Sequence, residues 1–254
     1  MMKKLFFLLP LLLFFSCKKE EIAPSIFFNT KKNFLSENIT TQSNLNERSD
    51  SVRFFDTLQK MHILDKMIIS KIKKERSKDH IETTVVRLDF YQSKEVLKSF
   101  EVSIYNGEEG EWNILEKNFF DYKTNKIDCR FFEVSYGVPA CGYTHSNFLF
   151  FIDGDTFQLI RRYYSMGDGP YGSGLEFDFE FSDDKVTLFT TKHVVIESDE
   201  SKPYSDEDEA LVKSFSDSTL YVLKAGLWKA KRITPKQKVY RKEFKTFNQL
   251  YPKE

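Results

Sequence analysis

The segment Leu175-Glu176-Phe177-Asp178-Phe179-Glu180-Phe181 alternates apolar and acidic residues without a break. Side chains repeat every two residues only along a β-strand, so this stretch buries one face as a half-covered strand. The same period runs through most of the chain beyond Ile81. It predicts strands near 82–91, 97–106, 112–120, 127–136, 143–153, 156–165, 185–197 and 219–232, the last breaking at Gly226. Turn signals separate them at Asn106-Gly107, Thr124-Asn125, Asp153-Gly154 and Asp183-Asp184. Links this short make neighbouring strands antiparallel.

Ahead of the strands, Phe54, Leu58, Met61, Leu64, Ile68 and Ile72 recur at spacings of three or four. That spacing predicts one apolar helical stripe covering the core, and Ser49-Asp50-Ser51 offers N-cap oxygens for it. The expected fold is therefore α+β: an antiparallel β-meander of about eight to ten strands with an N-terminal amphipathic helix. Accumulated twist discourages a flat sheet of that width, so it should be curled or barrel-like. A smaller helix is expected near 205–215 and a short terminal one over Phe244–Tyr251.

The N-terminus carries a different signal. Met1-Met2-Lys3-Lys4 is a short positive start, and Leu5–Phe15 is an apolar run broken only by Pro10. At about 11 residues the run is too short to span a bilayer as a helix, which needs about 20. A charged start and a short apolar run make a secretory signal. The run ends on Phe14-Phe15-Ser16-Cys17-Lys18-Lys19-Glu20-Glu21. Ser16-Cys17 resembles the lipobox of bacterial lipoproteins, with Phe14 and Phe15 departing from the usual Leu and small residue upstream. Lys19-Glu20-Glu21 resembles the export signal of surface lipoproteins in Bacteroidetes.

The resemblance implies a cleavable signal over 1–16, lipidation of Cys17 and attachment to the bacterial outer membrane, surface-exposed or periplasm-facing. It covers about 21 residues and implies nothing about the rest. Two or more acyl chains make a stable anchor where one does not, because each buried methylene adds about 0.8 kcal/mol. Residues 17–48 are mostly Asn, Thr, Ser, Lys and Glu and read as a flexible tether. Residues 49–254 read as a single β-rich domain.

Net charge is zero, which gives no reason to expect a nucleic-acid partner. The charges are segregated, however. Glu176–Glu209 holds 12 acids against three lysines, and Lys224–Lys253 holds 10 bases against one acid, Glu243. Either the two runs neutralise each other across the fold or one marks a partner surface. The 26 phenylalanines supply large apolar area for a core.

No motif fixes a chemistry. His62, His80, His145 and His193 lack metal-ligand spacing, and no H-E-x-x-H occurs. Asp153-Gly154-Asp155 starts like a calcium loop but lacks the later ligands; a type I′ hairpin turn accounts for it better. The glycine-rich run 167–174 precedes no helix pattern, and a phosphate cradle needs that helix N-terminus. No cofactor or metal is implied. In the meander, Cys129 and Cys141 fall at opposite ends of one strand, about 25 Å apart, whereas a disulfide needs Cα atoms within about 7 Å.

One candidate site follows from topology. Alternate loops of a meander share one end of the sheet, so the loops at 107–111, 137–142 and 166–174 should cluster. Tyr136, Tyr143, His145, Asp168 and Tyr171 border them, and binding sites favour loops on a rigid scaffold. The expected role is a non-enzymatic binding module with a protein partner. The alternatives are a carrier of an apolar ligand inside a curved sheet, whose outline resembles the curved-sheet carriers of the bacterial envelope, and an envelope enzyme.

Overall fold

The computed structural model describes residues 50–54, 64–76, 82–105, 110–117, 119–121, 123–138, 142–202 and 208–252. All of them fall within the compact unit Ile39–Glu254. The architecture is antiparallel β throughout. Strands β1 (Asp50–Arg53), β2 (Lys66–Arg76), β3 (Glu82–Gln92) and β4 (Glu95–Tyr105) form one sheet in chain order. A second sheet holds β5 (Glu111–Glu116), β8 (Phe131–Val138), β9 (Tyr143–Asp153), β10 (Thr156–Asp168), β11 (Tyr171–Ser182), β12 (Lys185–Ser198), β13 (Ala210–Lys224) and β14 (Leu227–Arg232). β15 (Arg241–Thr246) pairs with the other half of β13, end to end with β14. Strands β6 (Phe119–Asp121) and β7 (Lys126–Asp128) make a small separate hairpin. One helical turn, α1 (Phe247–Leu250), follows β15.

The second sheet bends into two layers. β10 and β11 pair only at Met166↔Ser173, Gly167↔Gly172 and Asp168↔Tyr171, and then part. Beyond this corner the β11–β14 half faces β8, β9 and β10, and the first sheet lies on their other side. β8 and β9 thus sit in the middle of three layers, which explains why β8 is buried almost throughout and β9 from Ser146 to Ile152. Alternation then divides their side chains between two cores. Phe132, Val134, Phe148 and Phe150 join Phe54, Met67, Leu88 and Phe90 of the first sheet side. Phe131, Leu149 and Phe151 join Phe119, Phe189, Tyr221 and Trp228 on the other. The phenylalanines meet edge to face and stacked, as in Phe132–Phe150 at 5.3 Å and Phe90–Phe150 at 5.1 Å. Such pairs contribute about 0.5–1.5 kcal/mol beyond the area they bury.

The α+β expectation is overturned. Residues 66–76 of the predicted N-terminal amphipathic helix are β2, and 50–53 are β1; 55–63 lie outside the described residues. The stripe misled because Met67 and Ile69, two apart, are the residues buried at 0% and 3%, while Ile72 is 41% exposed. β-Branched Ile68, Ile69 and Ile72 suit a strand, and β3 supplies a full-length partner. The barrel also fails, since the bent sheet stays open, with β5 at one edge and β14 and β15 at the other. The predicted helix near 205–215 is strand from Ala210 onward, paired with β12; 203–207 lie outside the described residues. Of the terminal helix, Phe247–Leu250 is helical and Phe244 belongs to β15.

Most predicted strands from 82 to 197 are present with small shifts, but 112–120 is divided between β5 and β6 and 127–136 between β7 and β8; the break at Gly226 separates β13 from β14. The turn chemistry differs in one place. At Asp153-Gly154-Asp155-Thr156 only Gly154 has positive φ (55°), which fits a type II′ turn. The double positive φ of type I′ falls at Ala225 (49°) and Gly226 (76°).

Candidate functional site

The strand ends bordering the expected loop cluster do come together. Glu111 pairs with Gly137, Gly137 with His145, His145 with Ser165, and Tyr143 with Gly167. Residues 106–109 and 139–141, Cys141 among them, lie outside the described residues. The Tyr143 and His145 rings lie 4.6 Å apart. They sit over Gly137, where a Cβ would come within 2.8 Å of the imidazole and 3.2 Å of the phenol ring. Gly142 (φ 85°) lies against Met166 and Asp168 in the same way. Tyr143 is 41% exposed, and Met166 and Asp168 are exposed on the other face of the sheet.

The other two expected residues point elsewhere. Tyr136 lies on the opposite face of β8, buried in the first core beside Trp112, and its hydroxyl accepts a hydrogen bond from the Gly110 amide at 2.8 Å. The Tyr171 hydroxyl donates to the Glu209 carboxylate, tying the corner to the start of β13.

A second constellation lies between the two layers of the bent sheet. Towards β6 and β7 their interface is aromatic; towards the corner it turns polar. On the middle layer, Glu133, Ser135 and Asn147 are buried on β8 and β9, and Arg161, Tyr163 and Ser165 line up on β10. A bulge at Leu159/Arg161 turns Arg161 to this side, opposite Leu149. Glu133 accepts a hydrogen bond from Tyr163 and faces Lys117 Nζ at 3.8 Å. Asn147 donates to Ser165 Oγ at 2.8 Å. Burial, with the Glu133 carboxylate alongside, pushes the Tyr163 phenol far up.

On the facing layer, a bulge in β13 lets His193 pair with Ser216 and Thr191 with Thr219. His193 Nδ1 lies 3.3 Å from Ser216 Oγ. Burial lowers the His193 pKa; Asp217 opposes the shift and Arg161 adds to it. The imidazole is therefore neutral at pH 7. A histidine–serine pair is the beginning of a nucleophile site. The adjacent carboxylate does not complete one: Asp217 Oδ1 accepts from Arg232 and from the Gln237 amide at 2.9 Å. Arg161 Nε and Thr191 Oγ1 are buried here without a hydrogen-bond partner among the described residues. The sequence signal for this cluster was Glu133 itself, the one charge in Phe131-Phe132-Glu133-Val134.

Among the described residues, no three His, Cys, Asp or Glu side chains converge as a metal site. Cys129 is half-buried just ahead of β8. No described helix is long and apolar enough to cross a membrane. Compared with protein-family models, characterised proteins and solved structures, the chain matches none.

Proposed function

We propose that the chain is a lipid-anchored lipoprotein of the bacterial envelope whose β-layered domain is a non-enzymatic binding module. The observation that carries the reading is the order Lys3-Lys4, Leu5–Phe15, Ser16-Cys17, followed by Lys18-Lys19-Glu20-Glu21. Charge, apolar run, small residue and cysteine in that order are the features that signal processing and lipidation require. The polar composition of 18–48 supports a tether between anchor and domain.

Two features favour binding on the outside of the domain. Tyr143 and His145 are held by a strand end rather than by a long loop, and a rigid frame lowers the cost of ordering a site. The carrier alternative asks for apolar space inside a curled sheet. Both cores are instead occupied by aromatic rings in direct contact, with centroids from 4.5 to 6.4 Å apart. The ligand expected at the exposed cluster is a protein partner.

Cell fractionation tests the anchor. The native protein should pellet with outer membranes and come off with detergent, not with salt, while Cys17→Ser becomes soluble or stays unprocessed. Normal membrane retention of Cys17→Ser would remove the anchor. Protease shaving of intact cells then separates a surface-exposed domain from a periplasm-facing one. For the binding surface, alanine at Tyr143 and His145 should reduce recovery of partners cross-linked to the native protein; unchanged recovery would remove this site.

A further inference from the structure

The C-terminal basic run becomes one continuous edge of the second sheet, formed by β14, residues 233–240 and β15. Part of the acidic run is engaged elsewhere: Glu176, Asp178 and Asp184 pair with Lys213, Lys192 and Lys126, while Asp199 lies within reach of Lys242 on the basic edge. Within the basic edge, Arg232 is held by Asp217, and Arg241 and Lys245 share Glu243. Lys224, Lys229, Lys231 and Lys238 are exposed and have no acidic partner among the described residues.

Apolar side chains accompany them. Of the 16 large hydrophobic side chains exposed among the described residues, seven lie between Leu227 and Tyr251, so the coincidence with the lysines is local. Alternation along β14 turns Trp228 inward and Leu227, Lys229 and Lys231 outward. The register Lys224↔Leu227 adds Lys224 to the same face. Ile233, 51% exposed, follows just beyond β14. Lysines alone would be explained as guards against edge-to-edge pairing. Guarding does not account for exposed Leu227 and Ile233 between them.

Lysines around projecting apolar side chains suit the headgroup region of an anionic bilayer: the ammonium groups meet phosphates and the apolar groups enter the acyl boundary. We propose that this outer face of β14 is where the domain rests on an anionic lipid surface. The proposal builds on the anchor reading, since a tether of about 30 residues, with a reach on the order of 30 Å, keeps the domain within range of the membrane.

Lysine footprinting tests it. The full-length protein, purified from membranes in detergent, is placed in phosphatidylcholine vesicles with or without about 30% phosphatidylglycerol and treated with an amine-acylating reagent. Lys224, Lys229 and Lys231 should react at least about threefold more slowly in the anionic vesicles, and about 0.5 M salt should abolish the difference. Lys94 and Lys98, exposed at the β3–β4 hairpin, should not change. Lys224→Glu/Lys229→Glu should remove protection from Lys231, and Leu227→Ser/Ile233→Ser should weaken it.

Equal rates in the two vesicle types would overturn the proposal. So would protection that grows with protein concentration in detergent alone, which would assign the edge to a second copy. The mass of the Cys17 peptide from the same sample reads the anchor separately. If Cys17 carries no acyl chain, the footprint of protein simply mixed with vesicles still decides the edge.

Discussion

Arg130 grips Asp128, two residues away, with both groups buried: Nε lies 2.9 and 3.2 Å from the two carboxylate oxygens, and Nη2 lies 2.6 Å from Oδ2. The pair is a joint rather than an isolated bridge. Nη1 reaches Asp153 at 2.6 Å at the end of β9, and Nη2 reaches the Val186 carbonyl at 3.2 Å on β12. The Val186 amide closes the loop on Asp128 at 2.8 Å. Arg130 thereby pins the middle layer to the bent-over layer at the end away from the corner.

Removing one partner of a buried pair leaves an uncompensated charge, which costs about 3–5 kcal/mol. Arg130→Ala should lose that much in urea unfolding. Arg130→Met/Asp128→Leu should recover most of it, because both charges are gone. A loss below about 1 kcal/mol in the single variant would show that the pair does not hold the layers.

His193 makes stability depend on pH. Burial lowers its folded pKa below the ordinary 6.5, with Asp217 opposing and Arg161 adding. The folded state thus binds its proton less readily than the unfolded chain. Stability is full above the unfolded pKa and falls as pH drops through 6.5 towards the lower folded value. Urea midpoints for the native chain should therefore decline from about pH 7.5 to 5 more than those of His193→Gln. Parallel declines would contradict the assignment.

Tyr163→Phe removes the hydroxyl that satisfies Glu133, whose side chain is 5% exposed and otherwise faces Lys117 at 3.8 Å. Leaving a buried acceptor short of a donor costs about 1–3 kcal/mol. Thermal melts should drop accordingly. Glu133→Gln/Tyr163→Phe should lose less than the sum of the single changes, because the two side chains share one contact.

Gly172 decides the corner. A Cβ there would lie 2.5 Å from the Met166 carbonyl oxygen, a backbone atom that cannot swing aside. Gly172→Ala should shift the three-pair ladder between β10 and β11 and cost about 1–3 kcal/mol. Amide exchange should then quicken at Gly167 and Ser173 first. Gly167→Ala, where nothing lies within 4 Å of the added methyl, serves as the control.

Most strands were legible because period-two alternation is a local signal: β9 begins and ends at the predicted residues, Tyr143 and Asp153. The helix at 66–72 was misread because apolar spacing fits two periods there, and only the partner β3 selects between them. The layering was not legible. β8 reads Phe-Phe-Glu-Val-Ser-Tyr, and nothing local says that Phe131 and Phe132 enter different cores. Of the expected site, Tyr143 and His145 are neighbours because they lie two apart on β9 and share a face, while Asp168, next to the Gly167 partner of Tyr143, falls on the opposite face. Tyr136 faces away because adjacent strand residues alternate faces, and proximity to a loop carries no information about that. The Ser216–His193 pair depends on a bulge in β13 that shifts its register on β12, which no local pattern announces.

The mass of the N-terminal peptide from membrane-extracted protein tests the central claim most directly. The account predicts a mature chain beginning at Cys17 and carrying the mass of two or more acyl chains. A peptide retaining Met1–Ser16, or a cleaved chain with an unmodified Cys17, would contradict it.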